Sequence, residues 1–114
     1  PPYGRSLGTW LNRCALNDDP GGIACVFART ETAAFFGNVW PFASALLFLR
    51  GRLTFFRPDG SPSRTGANSG GPSVLIGYGA EAERRLMACA DLGAVVKRVQ
   101  ANTSVRGGAE SDVP

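Results

Sequence analysis

The chain contains no histidine, and its three cysteines, Cys14, Cys25 and Cys89, are odd in number and widely spaced, with no Cys-x-x-Cys pair. A zinc site built from Cys and His is therefore excluded, as is nucleophilic catalysis by a Ser-His or Cys-His pair. The cysteines read as reduced thiols of a cytosolic protein. Long apolar runs are also missing. The longest, Ala43 to Leu49, has the length of a buried strand and is far short of a bilayer span. No charged-then-apolar signal segment opens the chain. The first residue is Pro1 in place of an initiator methionine, and we expect the sequence to be the inside of a longer reading frame. No glycine-rich phosphate loop is present: Gly77-Tyr78-Gly79-Ala80 lacks the third glycine and the ribose-binding acid of a dinucleotide fingerprint. Nor is there a strong excess of one charge. Twelve basic and nine acidic residues leave a net charge of +3 and a pI near 9.1, a mild bias toward polyanions.

What is present suits one globular domain. The 114 residues are 44% hydrophobic and 18% charged. Leu7, Trp10, Leu11, Cys14 and Ala15 recur at helical spacing, which predicts a helix over Leu7 to Leu16 with Ser6 as its cap. Asn17 to Gly22 ends it with turn residues. Gly22 to Phe27 is a continuous apolar run, which predicts a strand buried on both faces in a parallel sheet with helices on either side. A short helix is expected over Thr32 to Trp40, with Ala33, Phe36 and Trp40 on its apolar side. Strands follow over Ala43 to Arg50 and Ser73 to Tyr78. These two should pair antiparallel, because no crossover helix separates them. Arg52 to Phe56 reads as extended chain. A helix over Ala80 to Asp91 carries Glu81 and Glu83 in its first turn, where the dipole favours acids. Leu92 to Val99 fits either more helix or a short strand. We expect residues 1–100 to form the domain and 101–114 a polar tail.

The candidate site starts at the first residues. In Pro1-Pro2-Tyr3-Gly4 each proline fixes φ near about −65° and lacks an N–H, so the segment is a stiff spur presenting a carbonyl and an aromatic ring. Such a spur can grip a flat, amino-bearing group, the carbonyl accepting from the NH₂ and the ring stacking on the face. Ala28-Arg29-Thr30-Glu31-Thr32 lies at the C-terminal end of a strand, where open α/β sheets bind ligands. Arg29 and Thr30 contribute either to such a site or only to the start of the next helix. Arg50-Gly51-Arg52 puts two guanidinium groups at a bend, suited to phosphate or to simple solvation. Arg57 to Pro72 is rich in Gly, Ser and Pro and carries Arg64, either as a DNA-contacting loop or as a passive one.

In order, Pro-Pro-Tyr-Gly, a Trp-bearing helix, the strand ending Ala28-Arg29-Thr30-Glu31-Thr32 with Phe35-Phe36 after it, Phe48-Leu49-Arg50-Gly51-Arg52-Leu53-Thr54-Phe55, and Pro72-Ser73-Val74-Leu75-Ile76 resemble the phage-type DNA adenine-N6 methyltransferases. The resemblance runs from Pro1 to Gly79. It implies an α/β fold with a partial Rossmann-like methyltransferase sheet, mixed and with an antiparallel strand pair, whose N-terminal strands lie outside this chain. It implies S-adenosylmethionine as methyl donor, held mostly outside this chain, and double-stranded DNA as partner. Pro1, Pro2 and Tyr3 fall on the Pro-Pro-Tyr of the family's Asn/Asp-Pro-Pro-Tyr motif, whose Asn or Asp would precede Pro1. The Pro1 carbonyl would accept from the adenine amino group and Tyr3 would stack on a base rotated out of the duplex. Arg29, Thr30, Arg50, Arg52 and Arg64 would contact the nucleic acid. The resemblance implies neither a metal nor a membrane, and it implies as compartment the cytoplasm of a bacterial host or phage-infected cell. Such a half-sheet would expose an edge strand able to self-associate. Two other readings stay open: a small non-catalytic nucleic-acid-binding module, and a methyltransferase acting on RNA or on protein amides.

Overall fold

The computed structural model describes residues 4–61 and 70–97. Helix α1 spans Leu7–Leu16, strand β1 Gly22–Phe27, helix α2 Ala33–Asn38, strand β2 Ala45–Leu49, strand β3 Ser73–Tyr78 and helix α3 Ala80–Ala88. A 3-10 turn at Ala90–Leu92 then leads into strand β4, Gly93–Val96. The fold is α/β, built on an open four-stranded sheet in the order β1-β3-β2-β4.

Every neighbouring pair in this sheet is antiparallel. The expected β2–β3 pairing is present. The expected parallel environment of Gly22 to Phe27 is not: β1 pairs antiparallel with β3, from Gly22 opposite Tyr78 to Phe27 opposite Ser73. Its run of apolar residues does not mean burial on both faces either. Ala24 and Val26 are buried, whereas Ile23 is 45% exposed. The physical reason is position. β1 lies at the margin of the sheet, so its outward side meets only part of the covering layer. Since β1 and β2 both run antiparallel to β3, which lies between them, they run parallel to each other, and the crossover between them passes through α2.

Alternation along the strands divides the core in two. Ala24, Val26, Leu46, Val74, Ile76 and Tyr78 face one way, under Leu11 and Ala15 of α1 and Phe35 and Val39. Ala45 and Leu47 face the other way, under Leu86 of α3, with Leu49, Leu75, Cys89 and Val95 around them. Residues 92–96 resolve as turn and strand. β4 pairs with β2 from Gly93 opposite Leu49 to Val96 opposite Leu46, and Lys97 beyond it reaches Glu83 of α3 at 2.6 Å. Residues 52–56 form no regular strand. No helix of the described residues is long and apolar enough to cross a membrane. The tail expected over residues 101–114 lies outside the described residues.

Two caps differ from expectation. Ser6 stands at the start of α1 but makes no side-chain cap, because its backbone is already helical, with φ −79° and ψ −10°. The working cap is Thr32, in extended geometry ahead of α2. Its hydroxyl accepts the Phe35 N–H at 3.3 Å and donates to the Arg29 carbonyl at 2.9 Å. The apolar side of α2 is also not the one expected. Phe35 is buried at 1% exposure and Phe36 is 62% exposed.

Tyr78 joins the sheet to α2. Its ring is buried and its hydroxyl donates to the Asn38 carbonyl at 2.6 Å. Burial pushes the phenol well above its ordinary value, and the nearby Cys14 thiol acts in the same direction. Tyr78→Phe leaves the Asn38 carbonyl without this donor and should cost about 1–3 kcal/mol. The raised value also sets a pH dependence. The neutral phenol is favoured in the folded chain, so its contribution is complete below about pH 10 and falls away as pH rises further, since the unfolded chain ionises first. Thermal denaturation from about pH 8 to pH 11 should therefore show an alkaline loss of stability that is smaller in Tyr78→Phe.

Candidate functional site

At the C-terminal end of β1 the chain leaves the sheet through a tight turn. The Ala28 N–H donates to the Pro72 carbonyl at 2.8 Å, closing the ladder with β3. The Arg29 N–H then donates back to the Phe27 carbonyl at 2.9 Å, and Thr32 holds the Arg29 carbonyl. This turn folds the Arg29 side chain over the Phe27 ring, with the guanidinium carbon 5.5 Å from the ring centroid. Arg29 is thus held at its N–H, its carbonyl and its head group, although its side chain is exposed.

Two cavities meet at this residue. The first, about 430 Å³, is lined by Gly4, Leu7, Phe27, Arg29, Thr32, Ala34 and Phe35. Its walls are apolar, and Thr32 is already engaged at the start of α2, so Arg29 is the one charged residue on its lining. The second, about 260 Å³, shares Phe27 and Arg29 with the first and adds Glu31, Arg52 and the backbone of Gly70 and Gly71. A flat apolar slot therefore opens beside a polar, basic one. α1 and α2 form the apolar wall because they pack closely. Asn12 donates to the Asn38 side chain at 3.2 Å, and Gly8 lies against Ala34.

The structure brings some of the expected site residues together. Gly4, the residue after Pro1-Pro2-Tyr3, lines the same cavity as Arg29, and Arg52 joins Arg29 in the second cavity. Pro1, Pro2, Tyr3 and Arg64 lie outside the described residues. Thr30 lines neither cavity. Its carbonyl accepts the Trp40 indole N–H at 3.0 Å, so it braces α2 through the backbone. Arg50 lies at the same end of the sheet but lines neither cavity, and its N–H donates to the carbonyl of Leu92, just ahead of β4, at 2.9 Å. Leu7, Phe35 and Glu31 are site residues that sequence reasoning missed. The first two have the spacing of ordinary core positions. Only the place of Leu7 at the very start of its stripe hints that one side is uncovered.

A cavity of about 470 Å³ lies at the other end of the sheet, against Trp10, Arg13, Cys14, Asn17 and Ile23. Burial pushes the Cys14 thiol up, away from the thiolate a reactive cysteine needs. Among the described residues no group of three or more His, Cys, Asp or Glu comes together as a metal site. Compared with protein-family models, curated proteins and solved structures, the chain matches none.

Proposed function

We propose that this chain is the target-base half of an S-adenosylmethionine-dependent DNA adenine-N6 methyltransferase, acting on double-stranded DNA in the cytoplasm of a bacterial host or phage-infected cell. The observation that carries this reading is the shared cavity of Gly4 and Arg29, which sets the residue next to Pro-Pro-Tyr beside an apolar slot of about 430 Å³ at the C-terminal end of β1. A slot with aromatic walls and a cation at its mouth suits a base turned out of a duplex. Arg29 and Arg52 then hold the neighbouring backbone phosphate.

The finer fold reading, a partial Rossmann-like sheet of mixed pairing, stays a proposal: every neighbouring strand pair here is antiparallel, and only the course of the chain favours it. β1 and β2 are co-directional and joined by a crossover through α2, and β3 is inserted antiparallel between them. The margin of β1, with Ile23 half exposed, is the natural place for a further strand or for self-association.

The methyl donor does not fit the apolar slot. Arg29, the one charged residue on the apolar slot, repels a sulfonium, and no carboxylate lines that slot to take a ribose diol. On this reading the donor sits outside that slot. This chain's own contribution is to orient the base and hold its backbone.

The test is methyl transfer from labelled donor to duplex DNA. The chain alone should transfer none, and the full reading frame should transfer to adenine N6. Arg29→Gln in that frame removes a charge-assisted contact and should lower duplex affinity about tenfold or more. Methylation confined to protein or RNA would defeat the substrate assignment. The pairing of Arg29 with Arg52 in one cavity also supports the reading as a binding module. That reading requires salt-dependent DNA binding by the isolated chain with no activity in the full frame.

A further inference from the structure

Gly22 opens the cavity at the other end of the sheet. In β1 it shares a face with Ala24 and Val26, which are buried under α1, and it stands opposite Tyr78 of β3, whose ring is buried on that side. Having no side chain, it leaves space beneath the helix, and a Cβ built there meets nothing within 4 Å. Trp10, Cys14 and Asn17, the last being the C-cap of α1, recur at helical spacing and wall that space, with Arg13 beside them. The volume, about 470 Å³, is that of a small-molecule site. Two donors on the lining lack acceptors. Trp10 is half-buried against the core, and its indole N–H makes no hydrogen bond among the described residues, whereas that of Trp40 donates to the Thr30 carbonyl. The Arg13 guanidinium has no carboxylate partner among the described residues. No acid lines the cavity: Asp18 and Asp19, in the turn that follows α1, are not on it. The Asn17 amide already donates to the Arg13 carbonyl at 2.7 Å, and burial keeps the Cys14 thiol neutral. Arg13 is therefore the group left to meet an anion.

We infer that this cavity is a second binding site, one for a small aromatic carboxylate. The ligand's ring packs over Gly22 and against Trp10, and its carboxylate pairs with Arg13. An apolar hollow with an indole N–H and one guanidinium on its lining suits a flat apolar body that ends in an acceptor. One guanidinium matches one planar, singly charged carboxylate, which it can hold through two parallel N–H bonds. The length of β1 separates this site from the Arg29 cavities, since Gly22 opens one end of the strand and Phe27 walls the other. The site owes nothing to the target-base slot and stands or falls without it.

The probe is 2-naphthoate, with 2-naphthamide as its uncharged isostere and acetate as the anion without a ring. Each is titrated into the ¹⁵N-labelled chain, whose two tryptophans give two indole N–H signals. Naphthoate should bind with a Kd of about 1 mM or below, moving the Trp10 indole signal and leaving that of Trp40 in place. Naphthamide should bind about three- to tenfold more weakly, a modest ratio because Arg13 is exposed, and acetate should not bind measurably. Arg13→Gln should remove the advantage of naphthoate over naphthamide. Gly22→Leu fills the hollow from the strand side and should weaken both about tenfold or more. Arg5→Gln, outside this cavity, should change neither affinity. Arg13 and Gly22 are exposed, and Gly22 is not among the glycines with positive φ, so these variants keep the fold, which the dispersion of the amide spectrum verifies. If Gly22→Leu does not fold, Arg13→Gln and the Trp10 signal decide the matter between them. No binding of naphthoate at about 10 mM, equal binding of naphthoate and naphthamide, an unmoved Trp10 signal, or undiminished binding by a folded Gly22→Leu would each overturn the inference.

Discussion

Phe35→Ala should cost about 3–5 kcal/mol, a large part of the stability of a domain this size. Phe35 is 1% exposed, and its ring lies 6.0 Å from that of Trp40 at a tilt of 58°. It plugs the junction of α1, α2 and the sheet, alongside Leu11 and Val39. Truncation removes the ring and leaves a void at the centre of the packed face. Phe36→Ala is the control. That ring is 62% exposed, and its loss should change stability by no more than about 0.5 kcal/mol. Chemical denaturation of the two variants measures the difference. Similar midpoints would mean that the burial of α2 has been assigned to the wrong phenylalanine. Phe35→Ala should also weaken binding of an adenine nucleotide, since the same ring walls the apolar slot.

Gly77→Val should cost about 1–3 kcal/mol by overpacking the opposite face. Gly77 is buried on β3 directly beneath α3. A Cβ placed there would lie 2.8 Å from Leu86 Cδ1 and 3.3 Å from Ala82 Cβ. Leu86 could rotate only into a core where it is 2% exposed, so α3 itself must lift. A double-mutant cycle isolates the cause. In a Leu86→Ala background the same substitution fills part of the void, and its cost should shrink or change sign. Additive costs in that cycle would show that Gly77 serves some purpose other than admitting the helix.

Local chemistry made much of this legible. Leu7, Leu11 and Ala15 at helical spacing placed α1. Ser73 to Tyr78 is β3 to the residue. Glu81 and Glu83 marked the first turn of α3, where Glu81 now accepts from Arg84 and Arg85. The place of the polar cluster at the C-terminal end of β1 was also readable, because a polar cluster directly after an apolar run has few other places to lie. Gly4 and Arg29 do meet there. The absence of histidine limited the chemistry before any fold was considered.

Other features depended on contacts between distant segments. Nothing local in Gly22 to Phe27 distinguishes a central parallel strand from a marginal antiparallel one. That choice was made by β3, some fifty residues further on in sequence, which entered between β1 and β2. Nothing local separates Phe35 from Phe36 either. The difference arises because Thr32, not Thr30, caps α2, and the rotation of a six-residue helix is set by its cap and by the surface it meets. Arg50 and Arg52 look equivalent across one glycine, yet one is tied through its N–H to Leu92 and the other lines a cavity with Arg29. The residue sequence alone determined where α1 to α3 and β1 to β3 lie, though not β4, together with the charge balance and the catalytic classes excluded, since these depend on near neighbours and on composition. Only the tertiary structure decided strand order, which phenylalanine is buried and which arginines share a cavity, because each depends on surfaces that come together only when the sheet closes.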